Sequence, residues 1–217
     1  MSIATELTRL ARNVGALTAD TTAIFEALRA KGVPVPANAQ LSDVASLIDT
    51  IEDPSTVTIG GLNYKTMQYG NKKWTTESLK YPTSNSYRPN GTDEYGLLYP
   101  YSDFSSINSV LPSGWRIPTK SDFEDLFSIN GNISNDYISR EFGGNNSNGF
   151  NLELLGFVNS NGEFNRYGER GYSWTSTDYT NTNCLWNMWC GSSTIDVDDY
   201  TSKSNSRLQV RVVRDIS

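Results

Sequence analysis

Gly171-Tyr172-Ser173-Trp174-Thr175-Ser176-Thr177-Asp178, then Cys184-Leu185-Trp186-Asn187-Met188-Trp189-Cys190, then Leu208-Gln209-Val210-Arg211-Val212-Val213-Arg214-Asp215: these three runs decide how the chain is read. The last is apolar and β-branched, the pattern of a strand that a core buries. Asn, Thr, Ser, Asp, Tyr and Trp dominate the residues between the first run and the last. Rigid aromatics that supply area, beside short polar groups that supply adaptable hydrogen bonds, make a recognition surface. The rest of the chain reads as the scaffold that displays it.

Strand alternation divides the middle run into two faces. Cys184, Trp186, Met188 and Cys190 share one; Leu185, Asn187 and Trp189 share the other. Further on, Asp196, Asp198, Tyr200 and Ser202 share a parity, opposite Ile195 and Val197. Asp198 and Tyr200 are placed at a binding surface, with a solvated hairpin tip as the plain alternative. Tyr179, Asn181 and Asn183 precede the strand in a loop and carry the same two readings.

Composition removes several classes of function. A net charge of −6 and a pI near 4.7 argue against nucleic acid, whose phosphates call for clustered Lys and Arg. The chain has no histidine, which removes Ser-His and Cys-His nucleophile pairs and every histidine-bearing zinc site. No apolar run approaches the length of a membrane span, and no signal peptide is read at the start. Cys184 and Cys190 are too far apart on a straight strand for a disulfide, which would need a tight turn between them; two free thiols is the preferred reading. Asp196-Val197-Asp198-Asp199 has the oxygens a hard cation wants, but no EF-hand loop follows. No metal, cofactor or catalytic residue is assigned, and no paired carboxylates are marked out for glycan hydrolysis.

Residues 1–53 read as a helical oligomerisation and attachment segment. Ile3, Leu7, Leu10, Val14, Leu17, Ile24 and Leu28, with Thr21 in the gap, form a heptad seam ended by Gly32, Pro34 and Pro36. A self-associating coiled coil is favoured over an ordinary amphipathic helix, and a homotrimer over a dimer. A shorter helix follows, with Leu41, Val44, Ala45, Leu47 and Ile48 on one face. The stretch from Arg29 to Pro36, restarting at Leu41-Ser42-Asp43, is similar to amino-terminal segments of phage tail-fibre and baseplate proteins.

From Val57 the pattern changes to strands and turns. A hairpin is expected around Gly60-Gly61, and a helix after Thr119 or Ser121 with Phe123, Leu126 and Phe127 on its apolar face. Five strings, in this order, then carry a family resemblance: Asn71 to Leu79, Tyr95 to Tyr99, Pro112 to Thr119, Trp174 to Asp178 and Val210 to Asp215. They resemble the Fibrobacter succinogenes major paralogous domain, a family of the wider C-type lectin fold that includes variable proteins of diversity-generating retroelements. Gly114-Trp115-Arg116-Ile117-Pro118-Thr119 is the most specific string. It lacks the cysteine often found before the proline at 112, and Arg116 stands where a histidine is common.

The resemblance implies an α+β fold for residues 54–217: a C-type lectin-like ligand-binding domain preceded by the coiled-coil segment. It implies that Cys184, Trp186, Met188 and Cys190 pack the core while Leu185, Asn187 and Trp189 are displayed, and that Trp115 and Trp174 are core aromatics. In diversified members, adenine-directed mutagenesis changes codons near the carboxyl end. The expected site is therefore Tyr179, Asn181, Asn183, Leu185, Asn187, Trp189, Asp198 and Tyr200. The expected protein is a non-enzymatic receptor-binding protein of a phage or prophage tail or an extracellular surface, with a cell-surface protein or glycan as ligand and neither nucleic acid nor membrane insertion. A fixed-sequence glycan lectin and a structural tail or cell-surface module are the rivals. The sugar-binding strings of calcium-dependent lectins do not occur.

Overall fold

Two-residue turns start the carboxyl-terminal fold. β1 (Thr56–Ile59) and β2 (Leu62–Tyr69) run antiparallel with Ile59 opposite Leu62, so Gly60-Gly61 is the entire connection. Both glycines sit at positive φ, 56° and 81°, the conformation a tight hairpin turn demands. A Cβ on Gly60 would also meet the Tyr81 ring at 2.2 Å. β3 (Lys72–Thr75) follows β2 across a second tight turn and pairs with β11 (Val213–Asp215), giving a four-stranded sheet in the order β1-β2-β3-β11. The computed structural model on which this description rests covers residues 21–26, 35–40, 42, 56–180, 183–191 and 193–216.

The second sheet is larger. It contains β4 (Leu98–Pro100), β5 (Phe157–Val158), β6 (Phe164–Asn165), β7 (Gly171–Asp178), β8 (Cys184–Cys190), β9 (Ile195–Ser202) and β10 (Arg207–Gln209). The order is β6-β5-β10-β7-β8-β9, with β4 also on β10. Three short helices, α1 (Phe104–Val110), α2 (Lys120–Asn130) and α3 (Ser134–Tyr137), complete a mixed α+β fold that is mostly sheet.

The closing run is buried as expected, but it is not one strand. β10 belongs to the large sheet and β11 to the small one; Val210, Arg211 and Val212 cross between them. The crossing is held by backbone bonds from Leu79 N–H to Val210 O (2.8 Å) and from Thr75 N–H to Val212 O (3.0 Å). Arg211 explains the break. Its side chain is fully buried and donates to the carbonyls of Thr75, Phe150 and Asn151 at 2.8–3.1 Å and to Glu153 Oε2 at 2.6 Å. A guanidinium carries several donors in one rigid fork, which lets a single side chain tie three segments together.

Two large apolar clusters lie among the described residues, beside a smaller one of Leu98, Leu155 and Val158. One gathers Trp74, Phe123, Leu126, Phe127 and Phe150 with Met188, Cys190, Ile195 and Val197. The other gathers Trp115, Ile117, Trp174, Leu185, Leu208, Val210 and Val212. Trp115 and Trp174 are core residues as read from sequence, and the indole N–H of Trp174 donates to Tyr99 O at 2.7 Å.

Thr119 caps α2, its hydroxyl accepting from Asp122 N–H while Asp122 reaches back to Thr119 N–H at 2.7 Å. Arg116, at the position where the resemblance departs, forms a two-point pair with the same carboxylate and reaches Asp215 at 3.2 Å. Burial alone would raise the Asp122 carboxyl. The Arg116 guanidinium and the Thr119 N–H and hydroxyl outweigh it and hold the group below its ordinary 3.8. A carboxyl depressed in the folded state stabilises above its unfolded value and loses that contribution as pH falls through the folded one. Asp122→Asn is therefore expected to be less stable than wild type at pH 7, with the difference shrinking below about pH 4. Urea midpoints measured from pH 7 to pH 2 check this; a pH-independent difference would remove the ion pair from the account.

The chain divides into two units, Met1–Asp53 and Pro54–Ser217. In the first, residues 21–26 are helical and Pro36 O accepts from Ala39 N–H. The heptad seam apart from Thr21 and Ile24, and the helix expected from Leu41 to Ile48 apart from Ser42, lie outside the described residues.

Candidate binding site

Each face of β8 is covered over half its length. Met188 and Cys190 lie in the cluster under α2, and Leu185 in the other cluster, so the two faces meet two different layers of the molecule. At the start of the strand the even face, Cys184 and Trp186, is half-exposed while Leu185 and Asn187 are buried. At its end Trp189 is half-exposed while Met188 and Cys190 are buried. Two expectations are corrected here. Leu185 (1% exposed) and Asn187 (0%) are interior residues, and Asn187 Nδ2 donates to Thr201 Oγ1 at 3.0 Å. Trp186, assigned to the core, is at the surface.

β9 corrects a third. Opposite β8, Asp199 pairs with Asn187 and Asp196 with Trp189, so two β9 residues stand against Met188 alone. This bulge, formed by Val197 and Asp198, puts the residues after it out of step with those before it. Asp196 and Asp198 consequently go with Trp189, whereas Tyr200 and Ser202 go with Trp186 and Cys184. The expected common parity of Asp196, Asp198, Tyr200 and Ser202 does not exist.

The expected site residues thus separate into two patches. In the first, the Tyr179 ring stacks on Tyr200 (centroids 4.1 Å, 17°) and meets Trp186 edge-on at 4.8 Å. Lys120 Nζ lies 4.5 Å over the Trp186 ring and 2.6 Å from Glu124 Oε1. Backbone geometry positions these groups. Lys120 N–H donates to Thr177 Oγ1, Thr175 Oγ1 donates to Trp186 O, and Tyr179 N–H donates to Cys184 O, which fastens the start of α2 and the β7–β8 turn to one another. Tyr200 keeps 49% of its surface exposed. Aromatic pairs of this kind contribute about 0.5–1.5 kcal/mol each beyond area, so the patch is ordered by its own ring contacts.

In the second patch the Trp189 indole N–H donates to Asp198 Oδ1 at 2.6 Å, and the Arg170 guanidinium lies 5.7 Å over the ring. Asn183 is exposed beside the first patch, where its carbonyl accepts from Lys203 N–H; Asn181 lies outside the described residues. Lys203 also pairs with Asp178 and sits 4.7 Å over Tyr101. Among the described residues no three of His, Cys, Asp and Glu come together as a metal set, and no helix is long and apolar enough to cross a membrane.

Both cysteines are free, Cys184 half-exposed and Cys190 buried, with burial pushing the Cys190 thiol up to about 12. A maleimide is expected to label Cys184 in the native protein and Cys190 only in denaturant. Equal labelling of both in the native state, read by mass spectrometry, would mean that β8 opens.

The molecule is a β-rich α+β protein whose last strands carry half-exposed aromatic clusters in polar surroundings. The Fibrobacter succinogenes major domain matches residues 61–214, and the chain belongs to that family. Comparison with curated proteins and with solved structures gives no match.

Proposed function

We propose that residues 54–217 are a C-type lectin-like head that binds a target without chemistry, through the aromatic patches at the ends of β7, β8 and β9. The observation that carries this is the Tyr179–Trp186–Tyr200 cluster. It is large, half-exposed, ordered by its own ring contacts, and set among Asn, Ser and Thr side chains. Such anchors dominate binding energy where they occur in interfaces. Asp122 and Glu153, the two described carboxyls whose protonation is displaced, are both tied to arginines within the fold.

The fuller reading is a phage- or prophage-tail variable protein, on a virion tail or an extracellular surface, whose carboxyl-terminal face is altered by a diversity-generating retroelement. Its ligand is a cell-surface protein, with a glycan as the second choice. The amino-terminal segment makes it a homotrimer, and multivalency then raises a weak single-site affinity.

Sequencing the 3′ end of the gene across a natural population tests the diversified face. Substitutions are expected at Tyr179, Trp186, Trp189 and Tyr200, with Leu185, Asn187 and Arg211 constant. A uniform sequence at all of these positions would end the diversification reading and leave a fixed ligand.

A further inference from the structure

At three of the four sheet ends the outermost strand is short: β1 has four residues, β6 two and β11 three. Short edges protect themselves, because they offer little to pair with. β9 has eight residues and, among the described residues, no strand beyond it; at its start Thr194 forms a bridge to Ile133 and Ile195 N–H donates to Asn132 O. A long free edge is a template for another strand, and a second copy of the same domain brings an identical one.

We propose that Asp196, Asp198 and Asp199 guard this edge against pairing with a second copy of the chain. Three observations converge on them. Asp196 Oδ1 accepts from Val197 N–H at 2.7 Å and Asp199 Oδ1 from Tyr200 N–H at 2.8 Å, so two backbone donors of the edge strand are already taken. Asp198 forms, with Val197, the bulge opposite Met188, and a bulge breaks the regular spacing that an incoming strand must match. None of the three carboxylates is in an ion pair among the described residues, so two edges brought together set like charges against each other. The guard leaves Tyr200 and Trp189, which border this edge, uncovered. It holds whether or not those residues bind a target.

The test replaces Asp196, Asp198 and Asp199 by threonine, together and singly, in the full chain. Threonine raises strand propensity without adding a large apolar surface. A control removes the same charge elsewhere, by Asp93→Asn, Glu94→Gln and Glu163→Gln. Light scattering against concentration is expected to show the triple threonine variant rising toward twice the wild-type mass, while the control stays at the wild-type mass. Hydrogen exchange is expected to show faster exchange at Val197 and Tyr200 in the dilute single variants Asp196→Thr and Asp199→Thr. A folded triple variant with wild-type mass at every concentration overturns the proposal. So does a control that associates equally, since net charge alone would then be responsible. If the triple variant fails to fold, the single variants decide by the same two readings, and unchanged mass with unchanged exchange overturns it.

Discussion

Arg211→Ala is expected to destabilise the carboxyl-terminal unit by about 3–5 kcal/mol, the usual cost of removing one partner of a buried ion pair. That is a large part of the roughly 5–15 kcal/mol by which domains are stable. The loss has two sources. The carbonyls of Thr75, Phe150 and Asn151 lose their donor, and Glu153 is left buried without its cation. Arg211→Lys is expected to rescue little, because one ammonium cannot reach three carbonyls and a carboxylate held in fork geometry. Burial raises the Glu153 carboxyl above its ordinary 4.5, against the pull of Arg211 and Ser78. A raised carboxyl contributes stability below its unfolded value and loses it as pH rises through the folded one. Without Arg211 that rise is steeper, so the gap between variant and wild type is expected to narrow as pH is lowered toward 4.5. Urea denaturation at pH 7 and pH 4.5 measures both effects. A variant within about 1 kcal/mol of wild type would mean that the crossing is held by backbone pairing alone.

Trp186→Ala is expected to leave the fold standing and to weaken target binding by about 2 kcal/mol or more, some thirtyfold or beyond, as truncated aromatic anchors do. Its neighbour gives the contrast. Leu185→Ala, one residue earlier but facing the interior, is expected to cost about 2–5 kcal/mol of stability through a cavity. Thermal melting and adhesion of each variant to cells that capture the wild type separate the two. If Trp186→Ala unfolds the unit, or Leu185→Ala changes adhesion at full stability, the facing of β8 is misassigned.

The Gly60-Gly61 hairpin and the capped α2 were legible because each rests on local signals: turn glycines, a capping threonine, an apolar face at helical spacing. Trp115 and Trp174 were legible through the strings that contain them. The facing of β8 was not, although its alternation was. Alternation says which residues share a side, and it is silent on which side is covered at a given point along the strand. Here the covering layer changes midway, so Trp186 and Met188, with the same parity, have opposite environments. The β9 bulge was hidden for a related reason. One residue too many is defined only against its partner strand, and Val197-Asp198 carries no mark of it. Arg211 lies inside a run that reads as one apolar strand. A charged residue inside a run otherwise fit for burial was the available sign that the run does two jobs.

The split of residues 207–215 between both sheets also bears on how the protein comes into being. These residues are the last of the domain to leave the ribosome, and neither sheet is complete until they arrive. Closure therefore waits on the distant pairings β3–β11 and β4–β10, the slow, high-separation contacts of the fold. A frameshift or stop codon anywhere between residues 178 and 206 removes Arg211 and both strands together, and leaves neither sheet complete. Whatever substitutions occur in that segment, only an uninterrupted reading frame supplies the two strands that complete the sheets, so a folded domain certifies the frame of everything encoded just before them.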